Sequence, residues 1–470
     1  MMDQFFDIKE QHPDTILFFR MGDFYELFHD DAEVAADVLG LSLTSRDKNA
    51  EEPIPMAGFP WHGLQDHLRT MLRAGYKVTV AEQEEELRPG AKLLERVVTR
   101  VYTPGSLFEE GLLEGNEQSL LGAVVLEKDA LGLAVIDAST GKAWASTHQG
   151  HDRYARFQDD LLRWQPSELV LSPKDAGNDD LVAFFPRLEG VMVSQHKLAH
   201  KKRQERLQSM LNVADLGHLD LDHAPLALSA AGLAADYLAT VHLRTEIPLQ
   251  DVEILEEQSH LLIDQTTLRN LELTTTLAGE FNGSLLSTLN RCRTAMGRRL
   301  LKTWLLNPLS DKEAIQTRHQ AVSSLARSAR RLDGVRESLK GIRDMERLAT
   351  QLAYNRSNAR DLVATSHALE RMPALMNWCQ DSQDPLLAHL SEGLDGLQEM
   401  MKTIQNTLKP EPPLGLRDGG LLQSGVDEEV DELRNVTGEG KAWFTELERN
   451  LRETLEIPSL KVKNNRQVGW

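Results

Sequence analysis

Residues 15–28 set the first pattern. TILFF and FYELF are short apolar runs on either side of Met21-Gly22-Asp23, and Gly followed by Asp suits a tight hairpin turn. HDDAEVAADVLGL then switches to helical spacing, with Asp30 or Asp31 available as a cap. A second helix is predicted in LQDHLRTMLRAG, ended by Gly75. KVTVAEQ and RVVTRVYT alternate or carry β-branched runs and predict further strands. Residues 1–105 therefore read as a mixed α/β unit. Thr103-Pro104-Gly105 breaks the pattern, and the acidic stretch 106–116 reads as a linker.

LLGAVVLEKDALGLAVIDASTGKAWAS predicts three strands joined by polar turns. SELVLS and VMVS add short strands with helical stretches between them, so 117–246 reads as a second α/β unit. Within it, APLALSAAGLAADYLATVHL (224–243) is nearly apolar enough to suggest a membrane span. Asp236 argues against one, because a carboxylate at a bilayer centre costs about 2.5–3.5 kcal/mol. A helix buried between packed layers is predicted instead, and no membrane partner. From about residue 250 strands vanish, and Leu, Arg and Glu recur at helical spacing. This predicts an all-helical region over 247–428, with Asp311 starting a helix after Pro308. KPEPPLGLRDGG interrupts it. The highly charged segment that follows predicts a long helix with little buried surface, weakest at Gly438 and Gly440. It opens a last region, 429–470, in which Lys461-Val462-Lys463 begins a strand and Asn464-Asn465 turns it. The fold class is multidomain, α/β plus all-α.

Composition narrows the possibilities. At about 100–200 residues per domain, 470 residues predict about three domains. An apolar fraction of 41% is enough to form cores, which excludes a disordered chain. The only cysteines, Cys292 and Cys379, cannot make a disulfide framework or a four-cysteine zinc site. Reduced thiols and an N-terminus without an apolar signal core predict a cytoplasmic setting. With 52 Lys+Arg against 72 Asp+Glu the net charge is −20, which by itself argues against a nucleic-acid partner.

Little catalytic chemistry is legible. Gly-x-x-x-x-Gly-Lys-Ser/Thr occurs nowhere; Ser139-Thr140-Gly141-Lys142-Ala143 and Gly438-Glu439-Gly440-Lys441-Ala442 lack its glycine spacing and hydroxyl. No P-loop ATP site, no cofactor and no catalytic residue are predicted. His196 and His200 are four apart, but their basic surroundings repel a cation, so a solvated helix face is expected. Asp137 ends an apolar strand as in ribonuclease-H-type nucleases, yet the further carboxylates that hold two metals are missing. It is expected to hold the Ser139–Gly141 turn. Phe24 and Glu26 alternate onto one strand face beside the hairpin, with Tyr25 on the other. Pattern alone makes Phe24 a core residue and Glu26 a rim charge. The basic run His200–Arg206 and the basic tip Lys461, Lys463 and Arg466 are either phosphate contacts or ordinary surface charge.

FFRMGDFYELFHDDAEVAADVLGLSLTSRD, EPIPMAGFPWHGLQDHL, DASTGKAW, DQTTLRNLEL, GSLLSTLNRCRTAMGRRLLKTWLLNPL, RDGGLLQSGVDEEVDELR and LKVKNNRQVGW occur in one order across the whole chain. In these the sequence resembles the bacterial MutS family of DNA mismatch repair proteins. The resemblance implies a mismatch-recognition domain at 1–105 and a linker at 106–116. A ribonuclease-H-like connector without nuclease residues follows at 117–246, then the first part of a helical lever core at 247–428 and an incomplete clamp at 429–470. It implies that Phe24 wedges into the minor groove and stacks on a mispaired base to which Glu26 hydrogen-bonds, replacing the core reading of Phe24. Lys461, Lys463, Asn464 and Arg466 become candidate backbone contacts at the clamp tip. The implied partners are double-stranded DNA with mismatches or small loops, and a MutL-type matchmaker on the connector, in a nucleoid-associated setting. The family continues into an ATPase that uses ATP and magnesium and supplies most of a homodimer interface. No P-loop is present here, so no ATPase activity and a monomer are expected. A short leader usually precedes a start like MMDQFF. Ala81 stands where a small thiol is common, and EEELRPG (84–90) departs from the family's loop. The other class of function open to such a chain is a protein-interaction module, with the connector contacting MutL and little DNA binding.

Overall fold

The computed structural model describes residues 1–45, 53–84, 94–109, 111–113, 117–188, 190–219, 221, 223–256, 260–394, 397–455, 457 and 460–461. They form two compact units, Met1–Ser357 with Pro373–Leu394, and Asn358–Met372 with Asp395–Trp470.

The first unit begins with α1 (Met2–Gln11), β1 (Ile16–Met21), β2 (Phe24–Phe28), α2 (His29–Leu39), β3 (Thr44–Ser45), β4 (Pro55–Pro60), α3 (Leu64–Arg73), β5 (Val78–Gln83) and β6 (Arg96–Tyr102). The strands make one mixed sheet in the order β3-β4-β2-β1-β5-β6, with β1 and β5 parallel and the other pairs antiparallel. The predicted hairpin closes with Gly22 at φ +59°, a left-handed conformation that glycine adopts without strain. Helix α3 ends as expected in a Schellman motif: Tyr76 N–H donates to Met71 O, Gly75 N–H to Leu72 O, and Gly75 has φ +83°. The expected cap of α2 does not form, because its N-cap residue is Phe28, without a side-chain bond. Asp31 instead turns inward, buried, and accepts from Leu17 N (2.9 Å) and Lys9 Nζ (2.7 Å). The carboxylate serves the neighbouring strand and α1 in place of its own helix.

Both faces of this sheet are covered. Phe18, Tyr25, Leu27 and Phe59 pack beneath Ala32 and Ala35 of α2 and Leu68 and Met71 of α3. Leu17, Phe19 and Phe28 pack beneath Phe5 and Ile8 of α1. The pattern reading assigned no element to residues 2–11, where only Phe5 and Ile8 are buried and no side chain caps the N-terminus.

The second sheet runs β11-β10-β7-β8-β9-β12. Its strands are β7 (Leu120–Leu126), β8 (Ala130–Asp137), β9 (Lys142–Gln149), β10 (Glu168–Leu171), β11 (Met192–Gln195) and β12 (Asp251–Ile254). Strands β7 to β9 are antiparallel neighbours, and β10 and β11 continue in parallel from β7, as a ribonuclease-H-like connector requires. The expectation that strands end by residue 250 is corrected by β12, which pairs with β9 in parallel at the sheet edge. Its sequence DVEI is half acidic because an edge strand keeps one side in water.

Helices α4 (Arg153–Trp164), the short α5 (Asp179–Val182), α6 (His200–Leu211) and α7 (Pro225–Val241) complete this layer. The apolar segment 224–243 is α7, a buried helix as predicted. A Cβ on Gly232 would fall 2.0 Å from Arg203 O of α6, and one on Gly132 of β8 would fall 2.4 Å from Leu226 O of α7. Helix α7 is thus pressed between strand and helix at backbone distance, which at these two contacts only glycine permits. Among the described residues no helix is long and apolar enough to cross a membrane.

The segment 103–108, expected to fall in or beside an open linker, is packed: Thr103, Ser106, Leu107 and Phe108 are all buried. Polar anchors make that possible. Gly105 N–H donates to the buried carboxylate of Glu168 (3.2 Å) and Leu107 N–H to Ser119 Oγ (2.8 Å). Ser194 Oγ and Tyr237 Oη donate to the same carboxylate, each at 2.5 Å. Turn residues predict a break in regular structure, which exists, but they carry no information about burial.

Beyond β12 the chain is helical: α8 (Gln265–Asn270), α9 (Leu285–Leu289), α10 (Ala295–Leu306), α11 (Lys312–Ala326), α12 (Ala329–Leu339), α13 (Met345–Ala353), α14 (Ala359–Gln380), α15 (Pro385–Glu392), α16 (Gln398–Thr407) and α17 (Glu428–Leu455). Side-chain caps start many of them. Asp311 accepts from Ala314 N at 2.7 Å as predicted, and Asp264, Ser284, Thr294, Ser328, Asp344 and Asp384 do likewise. Arg299 of α10 is buried and forks onto Asp344 (2.5 and 2.7 Å) and Glu346 (2.6 Å), while Lys142 of the second sheet reaches Glu346 at 2.6 Å. Pro373 lies inside α14, where the two units divide. Helix α17 runs unbroken through Gly438 and Gly440, and none of its residues with described burial is buried.

Candidate nucleic-acid interface

Phe24 and Glu26 emerge on one face of β2, as the alternation predicts. Tyr25 points the other way and is 1% exposed, whereas Phe24 is 48% exposed. The face they share is the one α1 covers further along, over Phe19 and Phe28. A large aromatic ring therefore stands in solvent at the hairpin end of a sheet whose other described aromatics are mostly buried. The reading of Phe24 as core is corrected: cover over this face reaches Phe28 and Phe19 but leaves Phe24 open.

The neighbouring strand leaves room around them. Phe24 pairs with Pro60 and Glu26 with Gly58. A Cβ on Gly58 would fall 2.9 Å from Tyr25 O and 3.7 Å from Glu26 Cγ. On that side Gly58 thus presents only backbone to Glu26. Glycine inside a strand signals such an approach, and Gly58 in MAGFP was legible in principle but not singled out. Gly58→Ala is expected to push β2 and β4 apart locally and cost about 1–3 kcal/mol, the usual range for overpacking. Guanidinium unfolding of variant and wild type, compared directly, checks it.

Beneath Phe24 the sheet is stiffened by polar contacts. The Tyr25 hydroxyl donates to Glu82. Burial first, and then the Glu82 carboxylate, hold this phenol well above its usual pKa, so it stays a donor. Arg20 lies 5.3 Å from the Tyr25 ring and 5.3 Å from that of Trp61, which is 52% exposed. Trp61 N–H continues the ladder to Asp23 O at 2.9 Å. On the Phe24 side, Arg96 of β6 packs 5.5 Å over Phe19 and donates to Gln83 Oε1 (3.2 Å) and Arg20 O (3.3 Å). Two guanidinium groups thus flank the hairpin in a protein of net charge −20.

The remaining candidates are dispersed. Lys461 is exposed and belongs to the second unit; Lys463, Asn464 and Arg466 lie outside the described residues, as do most of 84–90. Asp137 holds its turn as expected, accepting from Ser139 N (3.0 Å) and Ser139 Oγ (2.7 Å). Burial raises its carboxyl pKa. His196 does not lie on a helix face, which corrects that reading. It follows β11, and its ring contacts Asp236 Oδ2 at 2.8 Å, while Arg206 Nε donates to Oδ1 at 2.7 Å. The His196 bond foremost, against some burial, holds Asp236 below the usual carboxylate range.

Neither nucleotide-like string offers a phosphate cradle. At Gly141 a Cβ would meet Pro248 O at 2.1 Å, so that turn is filled by the chain itself, and Lys142 is engaged by Glu346. Gly438 to Lys441 are helical, with backbone N–H groups turned along the helix and away from any ligand. Among the described residues no group of three His, Cys, Asp or Glu is placed to hold a metal.

Three family models match the chain: MutS domain I over residues 1–111, MutS domain II over 119–251 and MutS domain III over 266–462. The DNA mismatch repair protein MutS of Symbiobacterium thermophilum is 37% identical over 476 residues, taking in all of this chain and 54% of that protein. Its namesake in Halothermothrix orenii is 34% identical over 472 residues, all of this chain and 52% of that protein. In Synechococcus elongatus the figures are 36% over 489 residues, all of this chain and 55%. The chain spans about half the length of the curated relatives it matches.

Proposed function

The chain belongs to the MutS family, carrying its domains I, II and III in order, and from that premise we propose that it reads mispaired or looped duplex DNA through Phe24 and Glu26. The observation that carries this reading is the exposed Phe24 ring sharing a strand face with Glu26. A ring held at a hairpin tip can enter between base pairs from the minor groove. Unstacking one step costs a few kcal/mol in intact duplex and less at a mispair. Selectivity then comes largely from deformability. Glu26 adds to it: its charge is repelled by phosphate unless a base edge donates to it.

The same reading assigns backbone contacts to Lys461, Lys463, Asn464 and Arg466, and a MutL-type partner to the connector. ATP and magnesium chemistry, with the homodimer contacts that accompany it, is assigned to parts of the full-length family outside these 470 residues.

Competition for a labelled duplex tests the proposal. A duplex with one mispair is expected to displace it at several-fold lower concentration than its matched counterpart. Affinity for both should fall linearly with salt on logarithmic axes. Equal competition by the two duplexes would sink the wedge reading, and binding indifferent to salt would favour a protein-interaction module.

A further inference from the structure

Arg100 is a buried cation with no part in the wedge. It lies on β6, the sheet edge opposite β3, and is 3% exposed. Burial pulls its guanidinium down to about 10, still charged at neutral pH. Its neighbours come from three parts of the chain. It donates to Ser106 O at 2.6 Å, pairs with Glu109, and lies 4.2 Å from the Phe108 ring and 4.5 Å from that of Tyr102. One of its nitrogens is 3.1 Å from Nε2 of His242, just after α7. His242 Nε2 is 2.8 Å from the same Ser106 O, and its Nδ1 is 2.8 Å from the hydroxyl of Tyr354, just after α13. Phe108 stacks on Tyr354 at 4.2 Å and 13°.

Nε2 of His242 faces the Ser106 carbonyl and the Arg100 guanidinium together, and its Nδ1 shares a hydrogen bond with the Tyr354 hydroxyl. Burial first, then Arg100, with Arg244 and Arg356 adding to it, keep this imidazole far below its usual pKa and neutral. A buried guanidinium, a neutral imidazole and a phenol thus join the edge strand of the first sheet to the end of α7 and the end of α13.

We infer that Arg100, with His242 and Tyr354, is a positioning latch that fixes the Phe24-bearing sheet to the second sheet and the helical region, and so sets the angle at which the wedge meets a duplex. Arg100 touches no DNA in this arrangement. It acts through β6, β5 and β1, which are hydrogen-bonded in series to β2. The proposal rests on the duplex-reading role given above to Phe24.

Tyr354→Phe is the sharpest probe, because it keeps the stack on Phe108 and removes only the hydroxyl that satisfies His242. Arg100→Lys keeps the charge and loses the planar fork. Hydrogen exchange over residues 98–108 of the full chain is expected to quicken about tenfold in Tyr354→Phe, the size of one lost buried hydrogen bond. The ratio of mispaired to matched affinity should fall about three- to tenfold, as a loosened wedge loses orientation. In a Phe24→Ala background Tyr354→Phe should still quicken exchange but leave the ratio unmoved. Unchanged exchange in Tyr354→Phe overturns the latch, whether or not Arg100→Lys folds. Quickened exchange with an unchanged ratio, in a wild type that discriminates, overturns the positioning role. If the wild type does not discriminate, the wedge reading fails, and the exchange arm alone decides whether the three groups hold the sheet.

Discussion

Phe24→Ala is expected to abolish the preference for mispaired over matched duplex while leaving the protein as stable as before. The ring is 48% exposed at a hairpin end, so its removal opens no cavity and strips little packing. What is lost is stacking, worth about 1–3 kcal/mol per base. That corresponds to a drop in affinity for mispaired duplex of about 5- to 150-fold. Matched duplex, which holds no wedged base, should change little. Competition binding reads the two affinities, and a thermal melt confirms that the fold is untouched. A variant that still discriminates would mean that selectivity comes from elsewhere, and the wedge would be wrong.

The second large effect concerns the buried ion pairs of Arg299 in the helical region. Arg299→Met is expected to destabilise the first unit by about 3 kcal/mol. Removing one partner of a buried ion pair costs about 3–5 kcal/mol. The low end applies because the Asp344 and Glu346 side chains keep 17% and 20% of their exposure. Methionine fills much of the space, so the loss reports the stranded carboxylates more than a void. The pH dependence carries a definite sign. Burial works to raise both carboxyls, but the bonds from Arg299, joined by Lys142 at Glu346, outweigh it and hold both below the usual range. Their contribution is therefore complete above the unfolded carboxyl values near pH 4 and is lost as pH falls through the lower folded values. Denaturant unfolding at pH 7 should separate variant from wild type clearly, and the gap should narrow on acidification below about pH 4. A gap that stays constant with pH would place the effect in packing, away from the ion pair.

Much of this architecture was legible. The hairpin at Gly22, the Gly75 helix end, the Asp311 cap and the buried course of 224–243 all follow from local chemistry that tertiary packing did not override. What escaped was decided at longer range. Asp31 reads as a cap, yet the helix starts before it at His29 and the N–H of Leu17 claims its carboxylate. Helix α1 is held by Phe5 and Ile8 meeting Phe19 and Phe28, a contact no periodicity within ten residues can announce. Residues 103–108 read as a break and are a junction, because the buried partners that satisfy them, Glu168, Ser119 and His242, come from other segments. At the candidate site, alternation placed Phe24 and Glu26 together, but exposure turned on the cover over one face. The meaning of that pair came from the resemblance, and the clearance at Gly58 from the paired strand.

Helices on both faces give the first sheet a mechanical character. A bare sheet bends easily about an axis parallel to its strands. One clad by α2 and α3 on one side and α1 on the other behaves as a plywood panel, since close-packed layers cannot slide without opening gaps. On the proposed reading of Phe24, torque applied at the β2 hairpin would be carried across the panel towards the β6 edge. The work of kinking a duplex would then be stored less in flexure of the panel than in the duplex, where a weak base step yields first.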